Sequence, residues 1–446
     1  MSIQYRDYTD VSPRVFPVSE RPHCVTLHAR EYCSRALLDG VGEIRVIRKD
    51  SPVPGTLRTL LDDTPPAELR REANGDLTAV VTTPFEGEYS LCLGSVEADG
   101  KFVEKTAFSI YALRDDLYRL TPYKGDFHMH SNASDGVHSP EYVAATGRRL
   151  GLDFMALTDH RKYAPSLVAR DAMAAFGCDM LVCPGEEIHL PDNPVHIVNF
   201  GGGASINQAA AEHEAEYRAA VAEYQQSVPT GYDPATRFQV GASEWAFDRI
   251  RDCGGVAMFC HPYWRPRHHN YVGSDVVELL MERRRFDVLE VIGGFMPFEI
   301  EDNLLAVSRW QEALARGARI PVAGVSDSHD CDTALAGWYY TVTFAGELKF
   351  ESLAEAIRAD RSVAVHCPPG NFPLVVGPFR LTAFVYFLLR EVFPRHDELC
   401  RVEGEIMRRA LTGTEPDARA ALALRHGEVA DFMDRCWGRA QGGRSR

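Results

Sequence analysis

His128-Met129-His130 ends a strand-like segment, and Asp135-Gly136 follows it within a few residues. On an extended backbone, side chains two apart project to the same face. Both imidazoles are therefore placed to reach one metal ion. The pattern recurs along the chain. Apolar runs stop at Thr158-Asp159-His160, Gly185-Glu186-Glu187, His196, His261-Pro262 and Asp327-Ser328-His329. In parallel α/β architectures, functional groups gather where strands end and loops begin, so donors distant in sequence can meet over one face. A mixture of imidazole and carboxylate without a Cys-x-x-Cys pair favours Zn, Mn or Fe over a thiolate site. The candidates outnumber the ligands of one tetrahedral centre, and two or three divalent ions are expected.

The hydrophobic pattern divides the chain at about residues 122 and 368. Residues 1–122 read as an all-β, sandwich-like domain. Val25, Leu27 and Ala29 alternate with polar neighbours, as do Tyr89, Leu91 and Leu93. Turn signals at Pro52-Val53-Pro54-Gly55, Asn74-Gly75 and Asp99-Gly100 separate the runs. Ile44 and Val46 flank Arg45, but Ile47 breaks the alternation. Residues 123–368 alternate strand-like runs with helical patterns, which implies a parallel sheet, open or closed as a barrel. Ser139 and Pro140 mark the N-terminus of a helix running to Leu150. Residues 206–226 read as an Ala- and Glu-rich helix, either a lid or a surface excursion. Residues 369–446 read as a helical extension with a disordered Gly-Arg-Ser tail. Its helices either pack on the barrel or join two copies in a homo-oligomer.

Composition narrows the function classes. The chain has 446 residues, 45% hydrophobic and 25% charged, as in an ordinary globular protein. A net charge of −15 disfavours nonspecific binding to long nucleic acid but admits a small phosphorylated substrate held by cations. Eleven scattered cysteines, an odd number, read as free thiols in a reducing compartment. The start of the chain has no apolar signal core, and no apolar run approaches a bilayer span. A cytoplasmic protein without membrane segments is expected.

The segments His128-Met129-His130-Ser131, Ser134-Asp135-Gly136, Ser139-Pro140-Glu141, Leu157-Thr158-Asp159-His160, Pro184-Gly185-Glu186-Glu187, Val195-His196-Ile197, Cys260-His261-Pro262, Leu289-Glu290-Val291 and Ser326-Asp327-Ser328-His329, taken in order, resemble the PHP (polymerase and histidinol phosphatase) superfamily. The resemblance covers about residues 123–368. It implies a distorted (β/α)7 barrel with two or three divalent metals at its rim. Carried over by position, it makes His128 and His130 ligands of one ion with Glu187 and Asp327. Asp135, His160 and His329 hold a second. His196 and His261 complete another, bridged by Glu187. Glu186 and Glu187 are adjacent, and the family spacing selects Glu187. His138 and His189 are nearby substitutes, and Glu290 is a supporting residue. Asp159 is expected to orient a neighbouring histidine and, with His196 and His261, makes up the candidate catalytic set.

A metal-activated water then attacks a phosphoester, and no Gly-x-Ser-x-Gly or Walker motif offers a competing chemistry. Arg161, Arg265 and Arg267 are candidate phosphate contacts, with Lys162 and the aromatic Tyr263-Trp264 beside them. The leading expectation is a metal-dependent phosphoesterase acting on a small phosphomonoester or phosphodiester. The alternatives are a nuclease for short single strands and a noncatalytic metal-bearing scaffold.

Overall fold

The computed structural model describes residues 8–50, 57–294 and 300–439. The turn expected at Pro52–Gly55 and the tail from residue 442 lie outside them. The chain divides into two compact units. One comprises the chain up to Leu120 with Tyr386–His396 and the segment from Gly427 onward, and the other Thr121–Val385 with Asp397–His426.

The first unit contains two four-stranded sheets. One has the order β1 (Thr9–Ser12), β3 (Ser19–Ala29), β6 (Leu77–Thr83), β5 (Leu69–Arg71). The other has the order β2 (Val15–Pro17), β8 (Phe102–Leu113), β7 (Gly87–Val96), β4 (Glu43–Arg48). Val25, Leu27 and Ala79 from one sheet share a core with Ile44, Leu91 and Phe108 from the other. The broken alternation at Ile47 has a simple cause: β4 is covered on both faces. Ile44 enters the main core, while Ile47 joins Leu61, Cys92 and Phe102 in a second cluster. Arg45 is tolerated on that second face because its guanidinium donates to the carbonyls of Leu61 and Asp62. The unit is not purely β. A helix at Tyr32–Asp39, opened where the Glu31 N–H meets Ser34 Oγ, and another at Leu57–Asp63 interrupt the strands.

The second unit is mixed α/β and holds every donor motif. Its first sheet has the order β11 (Leu181–Cys183), β10 (Phe154–Ala156), β9 (Thr121–Asp126), β17 (Tyr339–Ala345), β18 (Ser362–His366), β19 (Leu374–Val376). Its second has the order β12 (Gly185–Ile188), β13 (Ile197–Phe200), β14 (Val256–Phe259), β15 (Val288–Ile292), β16 (Val322–Gly324). β9, β10 and β11 are parallel, as are β14, β15 and β16, but β17, β18 and β19 pair antiparallel. β13 runs antiparallel to both its neighbours. The expected all-parallel sheet is thus replaced by two open mixed sheets among the described residues. The reason lies in the connections. Only eight residues, His189 to His196, link β12 to β13, too few for a helical crossover, so the chain turns back.

The helix capped by Ser139 runs from Pro140 to Arg149 and buries Val143, Ala144 and Ala145. The 206–226 segment is two helices, Ile206–Glu212 and Glu214–Gln226. Tyr217 and Val221 of the second are seated in the main core, as packed structure rather than a loose flap. A third helix, Pro234–Asp252, follows on an Asp233 cap. The segment after residue 369 begins with β19, then gives helices Phe379–Glu391, Phe393–Leu411, Ala418–Ala423 and Glu428–Cys436, divided between the two units.

Candidate metal centre

The donor residues converge because the strand ends that carry them share one rim. His128 and His130 lie just beyond β9, His160 beyond β10, His261 beyond β14, and Asp327 and His329 beyond β16. His196 precedes β13. Because that strand is reversed, its beginning falls beside the ends of β12 and β14: Ile197 is paired with Ile188 and with Phe259. Two isolated bridges tie the rim, Met129 to Ser328 and His160 to Glu187. Below them, Asp126 accepts from the backbone N–H groups of His128 (3.3 Å) and Ser326 (3.1 Å), pinning the first donor loop to the last.

Glu187 sits at the centre. Its Oε2 lies 3.4 Å from Nε2 of both His128 and His130, and 2.7 Å from Nδ1 of His160. Its Oε1 lies 2.8 Å from His196, 3.5 Å from His189 and 3.6 Å from His261. Asp327 Oδ1 is 2.8 Å from His130 and 3.3 Å from His128. Asp135 reaches His160 at 3.3 Å and His329 at 3.4 Å. Single donor atoms of His128, His130, Glu187 and Asp327 all fall within 4.8 Å of one another, as do those of His130, Asp135, His160 and His329. The two acids of β12 point to opposite faces, as alternation requires. Glu186 turns away and caps the helix beginning at Ile206, accepting from Ser205, from Asn207 and from the Ile206 N–H.

The fit to divalent ions can be tested on the donors themselves. His128 Nε2, both ring nitrogens of His130 and His196, both Glu187 oxygens and Asp327 Oδ1 are buried without hydrogen-bond geometry to any partner. Leaving one such atom unpaired costs about 1–3 kcal/mol. So many converging on one volume suit cations, and the donor types suit Zn, Mn or Fe. His128 is steadied by Glu290, whose carboxylate lies 3.2 Å from its Nδ1, the arrangement that orients a metal-binding imidazole. The centre is graded in depth. His128, His130 and Glu187 are fully buried, while the side chains of Asp135 and His329 are 55% and 40% exposed, so the mouth lies on their side.

Charge follows geometry. Against the opposing effect of burial, His128 and then His130 hold Asp327 well below the ordinary carboxylate range, and His128 does the same to Glu187. Burial resists protonation of His128, His160 and His261, but the carboxylates outweigh it and raise all three. Burial pushes His196 down to about 4 and also lowers His130. Without cations, the carboxylates therefore favour the protonated forms of three imidazoles, and ligation must expel the protons they carry. Metal loading at pH 7 is expected to release about one to three protons, and apparent affinity to rise with pH. Calorimetric titration in two buffers of different ionisation enthalpy measures this, and a proton count of zero would contradict it.

Other candidates lie elsewhere. Asp159 uses both carboxylate oxygens on the loop that follows His130, accepting from Ser131 N–H (2.9 Å) and Oγ (2.7 Å) and from Ser134 N–H (3.2 Å) and Oγ (2.6 Å). It shapes the loop carrying Asp135 instead of orienting a histidine. His138 pairs with Asp330 at 3.1 Å. Arg161 is exposed, with its N–H on the Glu187 carbonyl (2.9 Å). Lys162 donates to the Ala133 carbonyl. Arg265 is committed to Asp302 (2.9 Å) and Glu301 (2.7 Å), and Arg267 is exposed. His189 proves closer than its sequence position suggested, 2.7 Å from His160 Nδ1. His261, Asp327 and Arg161 all adopt positive φ (20°, 47° and 59°), and such strained backbone concentrates at functional sites.

In the order of its motifs and in the donors they bring together, the chain resembles proteins of the PHP type. No family model matches the chain. It is 34% identical over 90 residues to the DNA polymerase/3'-5' exonuclease PolX of Bacillus subtilis, a stretch covering 19% of this chain and 15% of that relative. Among solved structures it is similar to a two-domain protein containing a predicted PHP-like metal-dependent phosphoesterase from Bacteroides vulgatus (20% identity, TM-score 0.41, 60% of this chain and 71% of that one). It is also similar to a lesion-specific endonuclease, EndoQ, from Pyrococcus furiosus (12% identity, TM-score 0.32, 70% and 90%).

Proposed function

We propose that the protein is a metal-dependent phosphoesterase hydrolysing a small phosphomonoester or phosphodiester. The observation that carries this reading is the set of unpartnered buried nitrogen and oxygen atoms around Glu187. His128, His130, Glu187 and Asp327 are assigned to one ion, Asp135, His160 and His329 to a second, and His196 and His261 with Glu187 to a third. Divalent cations so held lower the pKa of a water and neutralise charge on a phosphoryl group. The protein's own part is positional. Glu290 fixes the His128 ring, Asp159 fixes the 131–135 loop, and Asp126 locks the two ends of the donor series together. Arg161 and Arg267 are the exposed cations proposed to meet substrate phosphate, and Arg265 acts through the loop that it braces. Residues 123–368 are proposed as the catalytic part. In the PHP barrel reading, β9, β10 and β12 to β16 form the ring, with the bridges Met129–Ser328 and His160–Glu187 as its two seams.

A nuclease acting on short single strands is the second reading, favoured by the local match to PolX. The net charge of −15 weighs against long polyanions. A scaffold role is disfavoured because the donor series is complete. Chelation is expected to abolish phosphoester hydrolysis, and reloading with Mn, Zn or Fe to restore it, with monoesters turned over faster than oligonucleotides. Stoichiometric metal without turnover on monoesters, cyclic and linear diesters and oligonucleotides would overturn the enzymatic assignment.

A further inference from the structure

The loop from His261 to Gly273 carries two aromatic rings that the donor series does not use. Trp264 lies 5.8 Å from the His261 ring and 6.1 Å from His196, and Tyr271 lies 5.2 Å from His196, centroid to centroid. The two stand 4.6 Å apart, tilted by 45°. They are held there by the loop itself. The Tyr271 N–H donates to the Trp264 carbonyl (3.0 Å), and the Trp264 N–H to the His261 carbonyl (3.0 Å). Val272 anchors one end in the core, and Asp302 clamps both the backbone N–H and the guanidinium of Arg265 between them. Tyr263, the neighbouring aromatic, packs inward against the core instead.

Two features of this pair point to a ligand. Tyr271 is 43% exposed, an unusual place for a large ring to be fixed by hydrogen bonds and a packed anchor. The cation nearest in sequence, Arg265, is already neutralised by Asp302 and Glu301. The two rings thus form an aromatic wall beside the His196–His261 edge of the donor cluster, with the exposed Arg267 on the same loop. Fixed π faces select flat rings that can stack or meet them edge-on, and rigid placement avoids an ordering cost on binding.

We propose that Trp264 and Tyr271 form a subsite for a planar aromatic ring on the organic part of the substrate, which makes the substrate class an aryl or heteroaryl phosphoester. This rests on the phosphoesterase reading above and narrows it. The probes are phenylphosphonate and cyclohexylphosphonate, equal in ring size and neither cleavable, with inorganic phosphate as the ring-free control. Calorimetric affinities on the metal-loaded full chain are expected to favour phenylphosphonate by about fivefold to tenfold. Tyr271→Ala and Trp264→Leu each reduce that preference toward unity while leaving inorganic phosphate affinity within about twofold. Quenching of tryptophan fluorescence by phenylphosphonate, lost in Trp264→Leu, gives a second readout independent of turnover. Equal affinities for the two phosphonates, or a preference unchanged in both variants, overturns the subsite while phosphate binding leaves the parent reading intact. Failure of all three probes to bind the metal-loaded protein overturns both.

Discussion

Glu187→Gln is expected to lower kcat/KM for phosphoesters by about 10³-fold or more, since cations at such a site supply several kcal/mol of stabilisation. The change is nearly isosteric, so packing is retained and charge alone is removed. Its effect is large because Glu187 is shared. One oxygen faces His128, His130 and His160, and the other faces His196, His189 and His261. The same variant separates ligation from folding. Cations at about one hundred times their Kd stabilise the wild-type protein by roughly 2.7 kcal/mol. In Glu187→Gln that increment in thermal denaturation, read against the variant's own metal-free Tm, is expected to shrink toward zero. An unaltered metal-dependent increment would mean that Glu187 is not a shared ligand.

The second large effect concerns stability alone. Arg148, on the helix that follows the first donor loop, is buried and pairs with buried Glu403 at 2.7 Å, their side chains only 2% and 5% exposed. Gly404 lets the two helices meet here, because a Cβ at that position would fall 2.2 Å from the Arg149 backbone nitrogen. In Glu403→Ala a charged guanidinium keeps the Leu152 carbonyl (3.1 Å) and Asp153 (3.5 Å) but loses its closest counterion. Breaking a buried pair in this way costs about 3–5 kcal/mol. Chemical denaturation is expected to show that loss, with metal stoichiometry in the folded protein unchanged. A loss below about 1 kcal/mol would place the pair among those that contribute little.

His160, Glu187, Asp327 and His329 were legible in the sequence because each follows a short apolar run, and His128 and His130 because the pair ends a strand-like segment. The choice of Glu187 over Glu186 followed from the spacing of the motifs that the chain resembles, and the two side chains do point apart, as strand alternation requires. The direction of β13 was not legible. Val195-His196-Ile197-Val198 reads the same whichever way it runs, and only the short link from β12 fixes it. β17 carries no period-two signal because all seven of its residues are buried. The long helix that begins at Pro234 carries its own signal, since Asp before Pro is a capping pair. Asp159 and Asp135 occupy equally suggestive positions, yet two serine hydroxyls and two backbone amides decide that the former shapes a loop. Tyr271 comes beside His196 only through a ten-residue excursion, which no spacing rule anticipates.

The bridge between Met129 and Ser328, with Asp126 beneath it, joins stretches of backbone about two hundred positions apart. When His128 and His130 are translated, about two hundred residues still separate them from Asp327 and His329. Asp327 and His329 are still untranslated, and the pair has only solvent for company. In the proposed assignment, the ion shared by His128 and His130 consequently waits on residues made about two hundred positions later, and a fragment truncated before Asp327 carries most of the imidazoles yet lacks the carboxylate that completes that set.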